Sequence, residues 1–179
     1  MPDLVIRPAV QDDLEILWDF LAIAAYEPHA EAAKAVPFVA KYLVGWQQPG
    51  DFGCIAAQHG EILGAAWARR FSIAELRSPY GDEETPKVSI GVKPEARGQG
   101  VGEKLMRTLI GEAARRGLGL CLSVRTANPA RRLYERLGFQ EIGGSAVTNR
   151  AGGLSIGMVL GGPTAAHAAT GAPSSYPPC

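Results

Sequence analysis

The chain has 179 residues, of which 46% are hydrophobic and 20% charged, a balance that suits a soluble protein with one real core. Lys+Arg 18 against Asp+Glu 18 leaves zero formal net charge, which removes the electrostatic basis for a general grip on nucleic acid or on an anionic membrane. No apolar run approaches the ~18 residues of a spanning helix. Met1-Pro2-Asp3-Leu4 carries neither a basic nor an apolar signal region, so the cytoplasm is the expected compartment.

Taken in order, Leu4 to Arg7 reads as a short strand stopped by Pro8. Asp12 and Asp13 then put negative charge at the start of a helix, where its dipole favours it, and Leu14, Leu17, Trp18, Leu21 and Ala25 share one face of that helix. A second helical stretch from Ala30 to Val44 is interrupted at Pro37. Phe52 to Gln58 and Glu61 to Arg70 form a predicted hairpin around His59-Gly60, and Ser78 to Pro86 is a turn-rich acidic loop.

Val88 to Val92 is the next predicted strand, followed by a glycine-rich turn from Pro94 to Gly102 and a helix to Arg116. Val101, Leu105, Met106, Leu109, Ile110 and Ala113 make one apolar stripe on that helix. Leu118 to Val124 is almost continuously apolar, as a buried strand should be. A short helix over Ala130 to Leu137 ends at Gly138, and strands follow over Phe139 to Ile142 and Leu154 to Leu160. The expected organisation is one mixed α/β domain over 1–160, with residues 161–179 a disordered Pro/Ala/Ser-rich tail.

Cys54, Cys121 and Cys179 lack metal-ligand spacing, as do His29, His59 and His167, so no metal site is expected. Cys54 and Cys121 sit in apolar runs and read as small buried hydrophobes. The chemistry concentrates at Arg97-Gly98-Gln99-Gly100-Val101-Gly102, between a strand and an amphipathic helix. The first N–H groups of a helix have no internal partner, the dipole adds positive charge, and glycines let an anion come close. Three glycines within five residues beside Arg97 therefore point to a phosphate. A Walker loop would end in Gly-Lys-Ser/Thr, but Glu103 follows Gly102; a dinucleotide fingerprint would need a third glycine where Glu103 or Leu105 stands. Neither pattern fits.

The same segment resembles the Arg/Gln-x-x-Gly-x-Gly/Ala signature of the Gcn5-related N-acetyltransferase (GNAT) family. Val88 to Glu95 looks like the strand before that signature, and Asn128-Pro129-Ala130-Arg131-Arg132-Leu133-Tyr134-Glu135-Arg136-Leu137-Gly138-Phe139 is similar to the family's second landmark. The order of elements agrees from Leu4 to Leu160. The resemblance implies an α/β acyl-CoA N-acyltransferase fold, a mixed sheet whose two parallel central strands splay apart, flanked by helices. It implies acetyl-CoA as co-substrate and direct transfer of the acetyl group to a primary amine, on a small molecule or a peptide. The diphosphate is expected at Arg97, Gly98, Gln99, Gly100, Val101, Gly102 and Glu103, and the pantetheine arm along Ile90, Gly91 and Val92, with Asn128 on its other side. Asn128 before Pro129 equally suits the cap of a helix. Tyr134 matches the family tyrosine that protonates the departing thiolate; a phenol, with a pKa of about 10, is close to an alkyl thiol at about 8.5. Without the motif, Tyr134 would read as packing beside Ala130, Leu133 and Leu137.

Four features stay open. Where some protein N-terminal acetyltransferases of the family carry a glutamate before Val-Arg, this chain has Ser123, which weakens a ribosomal-protein reading and leaves the general base unassigned; Glu83 and Glu84 read first as solvated loop carboxylates. The acceptor is expected near Trp18, Tyr26, His29, Phe38, Tyr42 and Trp46, which do not name it. Homodimers are common in the family, and a non-catalytic acyl-CoA sensing module on the same fold is the alternative, against which Tyr134 and Asn128 argue.

Overall fold

The computed structural model describes residues 4–76 and 82–161. The expected tail from 162 onward, and residues 78–81 of the acidic loop, lie outside the described residues. The elements run β1 (Val5–Pro8), a 3-10 turn (Gln11–Asp13), α1 (Leu14–Ala25), α2 (Ala30–Lys34), α3 (Pro37–Ala40), β2 (Phe52–Gln58), β3 (Glu61–Arg69), α4 (Ile73–Leu76), β4 (Lys87–Val92), a second 3-10 turn (Pro94–Ala96), α5 (Val101–Arg115), β5 (Leu120–Arg125), α6 (Ala130–Arg136), β6 (Gln140–Glu141), β7 (Val147–Thr148) and β8 (Leu154–Leu160). They divide into two compact units, Met1–Arg69 with Ser89–Glu112 and Arg70–Val88 with Ala113–Cys179.

In the first unit the strand order is β1-β2-β3-β4. As expected, β1 ends at Pro8, its last residue, which pairs with Cys54 at the sheet edge. The β2–β3 hairpin turns at His59 (φ 53°) and Gly60 (φ 80°), the paired left-handed residues that match the twist of the two strands. Pro37 begins α3 at its first helical position, so the predicted break resolves into two short helices. At the chain start, the buried Asp13 carboxylate takes two 2.7 Å hydrogen bonds from the Arg7 guanidinium and a third from the Val10 N–H. The Arg7 bonds hold the Asp13 carboxyl below the usual carboxylate range, against the opposing effect of burial.

Helices cover this unit's sheet on both faces. Ile55, Ala65 and Trp67 pack with Leu17, Trp18, Phe20 and Leu21 of α1, while the alternating positions Cys54 and Gly64 face α5. A Cβ on Gly64 would stand 2.9 Å from Leu105 Cδ1 and 3.3 Å from Val101 Cγ1. On the other face, a Cβ on Gly91 would stand 2.4 Å from the Phe20 carbonyl oxygen. The small residues thus let both helices sit almost on the strand backbone. β3 also anchors the segment after α3. Trp67 Nε1 donates to the Tyr42 carbonyl at 3.1 Å. Arg69 donates to the carbonyls of Lys41, Val44 and Gly45 and lies 3.6 Å from Asp51, whose carboxyl burial pushes up against the pull of Arg69.

In the second unit the order is β4-β5-β8-β6, with β7 also on β8. β4 and β5 pair in parallel at Lys87↔Cys121, and the Cys121 N–H donates to the Pro86 carbonyl at 3.0 Å. β5 and β8 are antiparallel from Leu120↔Leu160 to Arg125↔Ser155. The predicted strand over Phe139 to Ile142 contracts to Gln140–Glu141, because Phe139 turns inward to pack on α6. The fold class is the expected one: a mixed α/β sheet with a parallel pair and flanking helices. Among the described residues, no helix is long and apolar enough to cross a membrane.

Gly91→Ala should lower the unfolding free energy by about 2 kcal/mol, since backbone rather than a movable side-chain tip blocks the new methyl. Gly60→Ala, whose Cβ meets nothing within 4 Å but keeps φ at 80°, should cost only about 1 kcal/mol. Urea midpoints of the two variants check this, and equal losses would contradict the close approach of α1.

Candidate functional site

The end of β4 delivers Ile90, Gly91 and Val92 to Lys93, whose N–H donates to the Leu63 carbonyl at 2.9 Å and so ties the turn to β3. The 3-10 turn follows, then Arg97 in an extended conformation, then Gly98 (φ 73°) and Gly100 (φ 80°). Both glycines are required by their left-handed backbone. A Cβ on either would meet no atom within 4 Å, so the space in front of them is open. The Gly100 carbonyl accepts the first helical bond, from the Lys104 N–H at 3.1 Å. Among the described residues, the N–H groups of Gly98, Gln99, Gly100, Val101 and Gly102 donate to no backbone or side-chain acceptor. These five donors lie at the positive end of the fifteen-residue helix α5.

The side chains of the signature brace the turn rather than line it. Gln99 Nε2 donates to the Glu95 carbonyl at 2.7 Å, and Arg97 Nε to the Val92 carbonyl at 3.4 Å. Glu103, in the first turn of α5, accepts from Arg107 Nε at 2.9 Å and Nη2 at 2.8 Å, both on Oε1. The buried stripe Val101, Leu105, Met106 and Leu109 seats the helix, as its spacing foretold. Residues 90–92 and 97–103 therefore form one strand–turn–helix segment of the first unit.

Asn128 and Tyr134 lie in the second unit, close together in sequence on either side of the start of α6. Asn128 Oδ1 accepts from the Ala130 N–H at 2.9 Å, so its side chain closes the first turn of α6. Tyr134 is buried, its ring edge-on to Phe139 with centroids 6.0 Å apart. Ser123 is exposed on β5 opposite Gly157. Glu83 and Glu84 are exposed, whereas Asp82 accepts from the N–H groups of Glu84 and Thr85 at 2.8 and 2.7 Å and so shapes the turn before β4.

The residues at which the acceptor was expected divide by burial. Trp18 and Trp46 belong to the core, and His29 caps α2 by accepting from the Ala32 N–H at 3.2 Å. Tyr26 ends α1 in a left-handed conformation (φ 61°), and it and Phe38 are exposed. Lys41 Nζ stands 4.7 Å from the Phe38 ring centroid and 5.7 Å from that of Tyr42. The sequence reading missed Arg69, whose contacts are all with carbonyls or a distant carboxylate. It also missed Gly64, for which an isolated glycine inside a strand was the available signal.

A model of the acetyltransferase (GNAT) domain matches residues 49–141. A mycothiol acetyltransferase from Acidothermus cellulolyticus is 31% identical over 158 residues, 82% of this chain and 46% of that protein, so the chain spans about half the length of the curated relative. The N-acetyltransferase from Staphylococcus aureus Mu50 shares the fold at a TM-score of 0.64 and 24% identity, over 88% of this chain and 98% of that one. The ribosomal-protein-alanine N-acetyltransferase from Brucella melitensis does so at 0.61 and 25%, over 87% and 98%. A Salmonella typhimurium protein solved with its cofactor acetyl-CoA does so at 0.65 and 20%, over 88% and 93%.

Among the described residues, no group of three or more His, Cys, Asp or Glu is placed to hold a metal ion. Cys54 and Cys121 are buried free thiols, pushed up to about 12 and about 11 by burial. Neither should react with iodoacetamide at about pH 8 in the folded protein, and both should label after denaturation. Mass mapping of the alkylated peptides reads the result; fast native labelling of either would restore a thiol nucleophile to consideration.

Proposed function

The chain belongs to the GNAT acetyltransferase family, whose co-substrate is acetyl-CoA, and on that premise we propose that it transfers an acetyl group from acetyl-CoA to a primary amine by direct attack. The observation that carries this reading is the run of open N–H groups from Gly98 to Gly102 at the positive end of α5, with free space in front of Gly98 and Gly100. That cradle suits a diphosphate, which acetyl-CoA carries.

Each residue then has a task. The N–H groups of Gly98 to Gly102 hold the phosphates, and the backbone of Ile90, Gly91 and Val92 pairs with the amides of the pantetheine arm as an added strand does. The Asn128 side chain holds the same arm while accepting from the Ala130 N–H at the start of α6. Acetyl-CoA supplies a thioester, whose C–S bond breaks as the C–N bond to the amine forms. The Val92 N–H donates to the acetyl oxygen as charge builds on it. The Tyr134 phenol gives its proton to the sulfur, and solvent takes the proton that the amine loses. No residue of the chain forms a covalent bond to the acetyl group, in keeping with the burial of Cys54 and Cys121. The acceptor amine belongs to a small molecule or a peptide, reached from the exposed side chains Tyr26 and Phe38. In this reading the protein works in the cytoplasm without a metal.

Calorimetric titration with acetyl-CoA, with NAD and ATP as controls, tests the cradle. Micromolar binding of acetyl-CoA alone is expected, weakened at least tenfold (roughly) in Gly100→Glu, which sets a carboxylate and an unfavourable φ among the donors. Coenzyme A release across a panel of primary amines then tests turnover. Tyr134→Phe should keep binding and lose about a hundredfold in rate. A folded protein that binds no acetyl-CoA would end the reading, and binding without turnover on any amine would favour a sensing module.

A further inference from the structure

Glu103 stands in the first turn of α5, and a helical side chain leans toward the N-terminus of its helix. Without a partner further along the helix, its carboxylate would be free to swing back toward the N–H groups of Gly98 to Gly102. Those donors and the helix dipole attract a carboxylate as readily as a phosphate. Left to itself, Glu103 would compete for the cradle and repel a diphosphate approaching it. Arg107 lies four residues further on, in the order that favours an acid–base pair along a helix. Its Nε and Nη2 both reach Glu103 Oε1, at 2.9 and 2.8 Å. The guanidinium thus draws the carboxylate down the helix and cancels its charge. The pair is open to solvent, with Glu103 39% and Arg107 64% exposed, so burial does not demand it.

We propose that Arg107 is a positioning residue for acetyl-CoA: it holds Glu103 off the amide cradle, so the phosphates meet open donors instead of a resident anion. This rests on the acetyl-CoA reading above and revises the part that the sequence resemblance gave to Glu103. Glu103 is a competitor of the ligand, kept in check, rather than one of its partners.

Calorimetry with acetyl-CoA at low ionic strength tests the proposal on Arg107→Ala, Arg107→Lys, Glu103→Gln and the double variant Arg107→Ala/Glu103→Gln, each first shown to be folded by circular dichroism. Arg107→Ala should bind about fivefold more weakly than the unmutated protein. Its deficit should shrink in about 0.5 M NaCl, where exposed charges are screened. Arg107→Lys should keep most of the affinity, because an ammonium still neutralises the carboxylate, and Glu103→Gln should bind more tightly. The double variant should return to within about twofold of the unmutated protein, a rescue that loss of helix stability could not produce. If Arg107→Ala binds normally, the pair is an ordinary surface contact and the proposal falls. If the double variant stays as weak as Arg107→Ala, Arg107 touches the ligand itself and the proposal falls for that reason. Failure of the unmutated protein to bind acetyl-CoA removes the underlying reading, a result distinct from either.

Discussion

The first unit depends on how closely two helices approach the middle of its sheet. With side chains at Gly64 and Gly91, α5 would be lifted off β3 and α1 off β4, because the blocking atoms include Leu105 Cδ1 on one face and the Phe20 carbonyl on the other. Everything the cradle needs follows from that seating. The start of α5 is fixed by Val101 and Leu105 pressed over Gly64, and the end of β4 is fixed by Gly91 under α1. The turn between them has little freedom left, so its glycines can spend their left-handed conformations on aiming N–H groups outward rather than on finding the helix.

Charge in this chain is managed locally, which agrees with a formal net charge of zero. The buried Asp13 is met by a two-pronged guanidinium, and the exposed Glu103 by the Arg107 guanidinium, two of whose nitrogens donate to one carboxylate oxygen. The first arrangement joins the chain start to α1. The second leaves the fold almost unaffected and acts on the space next to it. The two buried thiols show the opposite treatment: with burial pushing them to about 12 and about 11, they serve as packing atoms and stay out of the chemistry.

Much of this was legible because the decisive signals were local. The stripe from Val101 to Ala113 announced α5, Pro37 announced a break, and His59-Gly60 announced the hairpin. The cradle was legible for the same reason, since its donors are consecutive backbone groups whose placement the glycines reveal. Short elements were not: α4 has four residues and β7 two, too few to show a period. Pro8, by contrast, marked the end of β1, of which it is the last residue. Asn128 offered two roles to the sequence; its Oδ1 does accept from the Ala130 N–H at the start of α6, but Pro129 rather than Asn128 occupies the cap position. The pairing of Glu103 with Arg107 was visible as spacing, but its consequence needed the direction in which the turn points its donors.

Arg69 has a consequence for how this protein could change over time. It grips the segment after α3 through the carbonyls of Lys41, Val44 and Gly45, and Trp67 grips the Tyr42 carbonyl. Main-chain oxygens are present whatever residue occupies a position. Substitution at Phe38, Lys41 or Val44 therefore alters the outward chemistry of that surface without loosening its attachment to β3. The segment behaves as an interchangeable faceplate on a fixed mount, so new side chains can be tried there while the seating of α5, and with it the cradle, is inherited intact.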